Sequence, residues 1–203
     1  MEYICGGDLL SFVRKRTKLN EPASKLIFRQ IIEGLQNIHS KNIVHRDIKL
    51  DNILIDLLNT VKICDFGVSR LIKKGEVMHD QCGTPAYIAP EILRNKGYEG
   101  FAVDVWSAGV VLYTMLAGVV PFKHKYLDEL HLSIIQGKYD DIENVSAEAM
   151  SLIKGILQTD PQKRLTIEQI LDHEWLRFDL FEDNFRNKNK CKIRLFNKNL
   201  TFN

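Results

Sequence analysis

The sequence lacks a strong charge of either sign: 28 Lys and Arg stand against 26 Asp and Glu, a formal net charge of +2. Nothing global therefore draws the chain to nucleic acid or to an anionic membrane, and any charge argument must be local. Cysteine is sparse. Cys5, Cys64, Cys82 and Cys191 have neither C-x-x-C spacing nor a matching histidine cluster, which excludes the usual zinc and redox-pair patterns and gives reduced thiols in a cytoplasmic setting as the expectation. The start, Met1-Glu2-Tyr3-Ile4-Cys5-Gly6-Gly7-Asp8, has no basic stretch ahead of an apolar run and no glycine at position 2. It reads neither as a secretory signal nor as a myristoylation site. There is no internal repeat, and between Ser69 and Thr84 there is no Ser, Thr or Tyr.

What is present is enough for one sizeable core: 203 residues, 45% hydrophobic and 27% charged. Val105–Phe122 carries no charge and reaches the lower edge of a membrane span. Asp104 borders it and Ser107 and Thr114 interrupt it, so the expectation is a helix buried in a water-soluble core, with no membrane partner. Ile27, Ile31, Leu35 and Ile38 recur at helical spacing after Pro22, which suits a first helical turn. A short amphipathic helix over 8–16 precedes this one. Short β-type runs follow at 43–45, 53–55 and 61–64, the last two around a hairpin-length polar loop. Residues 65–91 read as mostly irregular. Further helices are expected near 103–117, 126–136 and 147–158, and a last one after Thr166, which forms a capping box with Gln169. Beyond Trp175 the composition shifts: 184–203 holds six Lys or Arg and no acid, the signature of a loose basic tail.

The chemistry concentrates in His45-Arg46-Asp47-Ile48-Lys49-Leu50-Asp51-Asn52. A carboxylate, a cation and an amide carbonyl share one short loop between two strands. Phosphoryl transfer to a hydroxyl needs those groups: an acceptor for the proton, a positive charge near the transferring phosphoryl and an oxygen ligand for magnesium. Asp65-Phe66-Gly67 adds a second carboxylate, and Gly83-Thr84-Pro85 and Ala89-Pro90-Glu91 follow.

In this order these segments resemble the catalytic-loop, magnesium-loop and A-P-E signatures of protein kinases. The resemblance covers residues 1–176 and leaves 177–203 as a tail. It implies a mainly α (α+β) fold, the C-terminal lobe of a kinase, using ATP and Mg2+. By position, Asp47 resembles the catalytic base, Asn52 and Asp65 the magnesium ligands, and Lys49 the group that steadies the γ-phosphate. Lys49 with Thr84 looks like serine/threonine rather than tyrosine specificity. The pattern G-T-P-A-Y-I-A-P-E with the hinge M-E-Y is similar to the calmodulin-dependent and cyclic-nucleotide-dependent branches. Asp104 resembles the buried acid that holds the catalytic loop, and Glu91 with Arg164 a buried ion pair tying the activation segment to the helical base. Glu2 and Ile4 would offer backbone groups to adenine, Asp8 would face the ribose and Leu54 would form the adenine floor.

The 203 residues hold no match to the glycine-rich phosphate loop, the strand lysine or its glutamate partner, all of which precede the hinge in the family. The polypeptide alone is therefore expected to be inactive. It reads either as a fragment of an ordinary kinase or as a short product serving as a non-catalytic binding module or decoy. Arg46 marks the kind of kinase whose activation loop needs a phosphate to pair with that arginine. Here Asp80 stands where related kinases carry the phosphorylated threonine, so Asp80 is expected to offer a fixed negative charge to Arg46 and Arg70. Asp8 and Asp51 stand where basophilic kinases receive an arginine three residues before the acceptor, whereas Leu132 and Ala86 occupy other would-be acidic positions. Lys188, Lys190, Lys192 and Arg194 among Ile193, Leu195, Phe196 and Phe202 also admit a calmodulin-type or autoinhibitory segment, against the plainer reading of a solvated tail.

Overall fold

The computed structural model describes residues 6–73 and 75–177. Helix α1 (Leu9–Arg14) starts where the Asp8 carboxylate accepts the Ser11 N–H at 2.7 Å. Helix α2 (Glu21–His39) is capped by Asn20, which accepts the Ala23 N–H, and carries Pro22 in its first turn, where a missing N–H has no helical partner to lose. Ile27, Ile31, Leu35 and Ile38 form its buried face, each side chain worth roughly 1.5–3 kcal/mol on burial. The strands are short: β1 (Ile43–Val44), β2 (Ile53–Ile55), β3 (Val61–Ile63), β4 (Arg70–Leu71), β5 (Val77–Met78) and, after helix α3 (Pro90–Leu93), β6 (Tyr98–Glu99). They pair antiparallel as three ribbons, β1 with β4, β2 with β3 and β5 with β6.

Helix α4 (Gly100–Ala117) is the axle of the fold, with 78% of its apolar span buried. It is long and apolar enough to cross a membrane by composition, yet here its faces are taken by α2, β1 and α6 (Ala147–Ile156). Gly109 lets α6 approach: a Cβ there would meet Ile156 Cγ2 at 2.5 Å and Leu157 Cδ2 at 2.9 Å. Helix α5 (Leu127–Gln136) packs on α3, and α7 (Ile167–Leu171) closes against α2 behind the full capping box of Thr166 and Gln169.

The structure departs from the sequence reading at two places. Residues 65–91 are not merely irregular, because β4, β5 and the start of α3 lie within them. Two-residue strands leave no alternation to detect. Helix α4 also begins at Gly100 rather than near 103, because Phe101 and Ala102 continue its first turn. The expected basic tail lies outside the described residues apart from Arg177.

Candidate active site

The loop after β1 is shaped by one buried carboxylate from α4. Asp104 is 0% exposed, and it accepts the backbone N–H of Arg46 on Oδ1 and that of His45 on Oδ2, both at 2.8 Å, with His39 Nε2 also 2.8 Å from Oδ2. These bonds hold Arg46 at φ +68°, a left-handed conformation that a non-glycine residue adopts only when its surroundings fix it. His45 is fully buried, packs on the Phe66 ring at 4.9 Å and contacts the Cys64 carbonyl at 3.0 Å. Catalytic loop and magnesium-type loop are thereby joined through the protein interior.

Asp47 is the centre of the cluster. Its Oδ2 accepts from Lys49 Nζ at 2.8 Å and Asn52 Nδ2 at 3.0 Å, and its Oδ1 accepts from Thr84 Oγ1 at 2.8 Å and Thr84 N at 3.2 Å. Lys49 Nζ also donates to Thr84 Oγ1 at 3.0 Å. Partial burial alone would raise the Asp47 pKa, but the hydrogen bonds from Lys49, Thr84 and Asn52 outweigh it and hold the carboxyl below its ordinary value. Asp47 is therefore an anion held between Lys49, Asn52 and Thr84.

Magnesium favours oxygen donors and keeps several waters or substrate oxygens of its own. Asn52 is buried, and its amide nitrogen points back to the Asp47 backbone carbonyl and carboxylate, which turns the amide oxygen away as a free acceptor. Asp65 sits at φ +63° and is exposed, its carboxylate accepting the Gly67 N–H at 3.2 Å. Cys64, its neighbour, donates its backbone N–H to the Asn52 carbonyl at 2.9 Å, which fixes the two loops side by side. This donor chemistry fits a magnesium ion that keeps outer ligands. Among the described residues no cluster of three or more His, Cys, Asp or Glu could hold a metal by itself.

Asp80 lies between two guanidinium groups. Its Oδ2 pairs with Arg46 and its Oδ1 accepts from Arg70 at 3.2 Å, while Tyr98 Oη donates to its backbone carbonyl at 2.7 Å. Burial opposes ionisation, but the Arg46 bond and the charges of Arg46 and Arg70 lower the Asp80 pKa. Glu76 also bonds Arg70, at 2.7 Å. Glu91 and Arg164 form a two-pronged pair at 2.6 and 2.9 Å, with side chains 8% and 1% exposed. Leu54 is half-buried and bridges Asp8. Asp8 already caps α1, and Asp51 is exposed on the 3-10 turn at 50–52. Glu2 and Ile4 lie outside the described residues.

Sequence reasoning passed over His39, Glu76 and Tyr98. The position of His39 at the C-terminal end of a helix, where a cation is favoured, was the signal available for it. Tyr98 and Glu76 gave none, since their partners lie in a segment without periodicity.

Residues 1–176 match the family model described as protein kinase domain. The chain belongs to the protein kinase family. It is 42% identical over 178 residues to CBL-interacting protein kinase 24 of Oryza sativa subsp. japonica, a match covering 87% of this chain and 39% of that protein. It is likewise 42% identical over 180 residues to CBL-interacting serine/threonine-protein kinase 5 of Arabidopsis thaliana, covering 87% and 40%. The chain spans about 40% of the length of these curated relatives.

Proposed function

We propose that this chain supplies the catalytic-loop half of an ATP- and magnesium-dependent protein serine/threonine kinase. The observation that carries the reading is the Asp47, Lys49, Asn52 and Thr84 cluster. Four donors saturate the Asp47 carboxylate, so an incoming serine or threonine hydroxyl must displace one of them. Lys49 is the donor to yield, since an anionic phosphoryl group competes for its charge. Asp47 then orients the hydroxyl and takes its proton, while Asn52 through its amide oxygen and Asp65 through its carboxylate would hold magnesium. MgATP, when bound, would supply the γ-phosphoryl group, with ADP as the leaving group and the metal neutralising the phosphate oxygens.

The peptide subsite is basophilic in this reading. Asp51 is the stronger of the two acids for an arginine three residues before the acceptor, because Asp8 is already engaged with Ser11 through both oxygens. Asp80 acts as a fixed activation-loop anion, and the setting is cytoplasmic. The isolated 203-residue polypeptide is inactive, since positioning of the β- and γ-phosphates accounts for much of the rate and none of its residues matches the family's phosphate loop or strand lysine.

The test is phosphate incorporation into a basic serine peptide, by the 203 residues alone and by the same residues joined behind a kinase N-terminal lobe. The joined chain should be active, the isolated one silent, and Asp47→Asn should lower kcat by about a hundredfold or more. Full activity of Asp47→Asn would refute the assignment.

A further inference from the structure

A groove of about 810 Å3 lies between the C-terminal half of α2, the start of α4 and the start of α7. Phe101, Val105 and Leu165 give it an apolar floor, and Glu33, Glu99 and Glu168 stand on its rim. Arg164 is also on the wall, but Glu91 already neutralises it. Glu99 and Glu168 are exposed and carry no ion pair among the described residues. The groove is thus amphipathic and acidic.

The chain itself leads there. The Leu176 carbonyl accepts from Arg29 NH1 at 3.1 Å, and Arg29 Nε bonds Glu33 on the groove's rim, also at 3.1 Å. From Arg29 to Ser40 the helix rises about 16 Å, and residues 178–183 can extend about 20 Å. Asn184 can therefore reach the far end of the groove, and from there on the sequence has six Lys or Arg and no acid. We propose that residues 184–203 seat in this groove within the same chain. The six Lys or Arg of this segment complement Glu99 and Glu168 in charge, and Ile193, Leu195 and Phe196 are apolar like the floor. The seat bears on the catalytic loop, because His39 in the groove wall contacts the Asp104 carboxylate that holds the backbone of His45 and Arg46.

The inference does not depend on phosphoryl transfer, and its test is amide hydrogen exchange on the 203-residue chain over residues 33–40 and 99–105. Three chains are compared with wild type: the tail reversal K188E/K190E/K192E/R194E, the rim reversal E99K/E168K, and the two combined. All substitutions lie on the tail or on exposed positions, and a K188Q/K190Q/K192Q/R194Q tail serves as a second loss variant. Two exposed pairs amount to about tenfold in a local equilibrium, so at low salt each single reversal should speed exchange in these segments by about that factor. The combined chain should regain protection, and raised salt should erase the difference. Equal exchange in wild type and both tail variants, or no recovery in the combined chain, overturns the proposal. Protection that disappears on dilution also overturns it, since the occupant would then be the tail of a second copy.

Discussion

Replacing Glu91 by Gln tests how the activation segment is anchored, and the geometry sets the magnitude. Arg164 is 1% exposed in its side chain, and apart from Glu91 its donors reach, among the described residues, only the carbonyls of Gln158 and Ala102, with the Trp106 ring 5.1 Å from the guanidinium carbon. Carbonyls and a ring face solvate a cation partly, but they do not neutralise it. Removing the carboxylate charge leaves Arg164 buried and uncompensated, a loss of about 3–5 kcal/mol. An exposed pair would lose no more than about 1 kcal/mol. Urea unfolding of the 203-residue chain separates the two cases, and in a chain of this length each kcal/mol moves Tm by about 2–4 °C. Arg164→Lys should recover only part of the loss of Arg164→Ala, because an ammonium cannot match the two-pronged geometry. Replacing both partners by apolar residues should cost far less than removing either. A loss below about 1 kcal/mol for Glu91→Gln, with an unchanged urea dependence, would mean that water or a rearranged side chain reaches Arg164 and that the buried-pair argument is wrong.

Asp80→Ala should leave stability within about 1 kcal/mol, because Asp80 is about half exposed. In the chain joined to an N-terminal lobe it should slow phosphoryl transfer about tenfold or more, and undiminished activity would remove Asp80 from the account of activation. Glu21 accepts from Ser146 N and Oγ and from Trp175 Nε1. Burial opposes the shift, but these bonds lower its pKa below 4.5, so its contribution is present above that value and fades as pH falls through the folded-state pKa. Wild type should therefore lose more stability than Glu21→Gln between about pH 5 and 3 in parallel melts. Gly109→Ala should destabilise by about 1–3 kcal/mol despite alanine's better helix propensity, because close-packed Ile156 and Leu157 have no room for the methyl group. Equal or higher stability would show that α4 and α6 can separate.

The helices were legible because their signals are local and repeated. Ile27, Ile31, Leu35 and Ile38 mark one face four times over, and Thr166 with Gln169 forms a cap that three residues of spacing disclose. The catalytic cluster was legible for another reason: Asp47, Lys49 and Asn52 lie within six residues, so a single turn of loop brings their side chains together. What escaped the sequence is what two distant segments make jointly. His39 acquires its role only when α4 brings Asp104 within 2.8 Å, across 65 positions of sequence. Tyr98 and Glu76 gain theirs because the pairing of β5 with β6 brings Tyr98 to the Asp80 carbonyl, and because the Glu76 carboxylate accepts from both Arg70 and the Lys73 N–H. Asp80 itself could be singled out by position, but its contact with two arginines depends on both the loop bearing Arg46 and the strand bearing Arg70. Short strands and single contacts carry no periodic signal, so the residues that tune a site built on this lobe are those that sequence reasoning is least able to find.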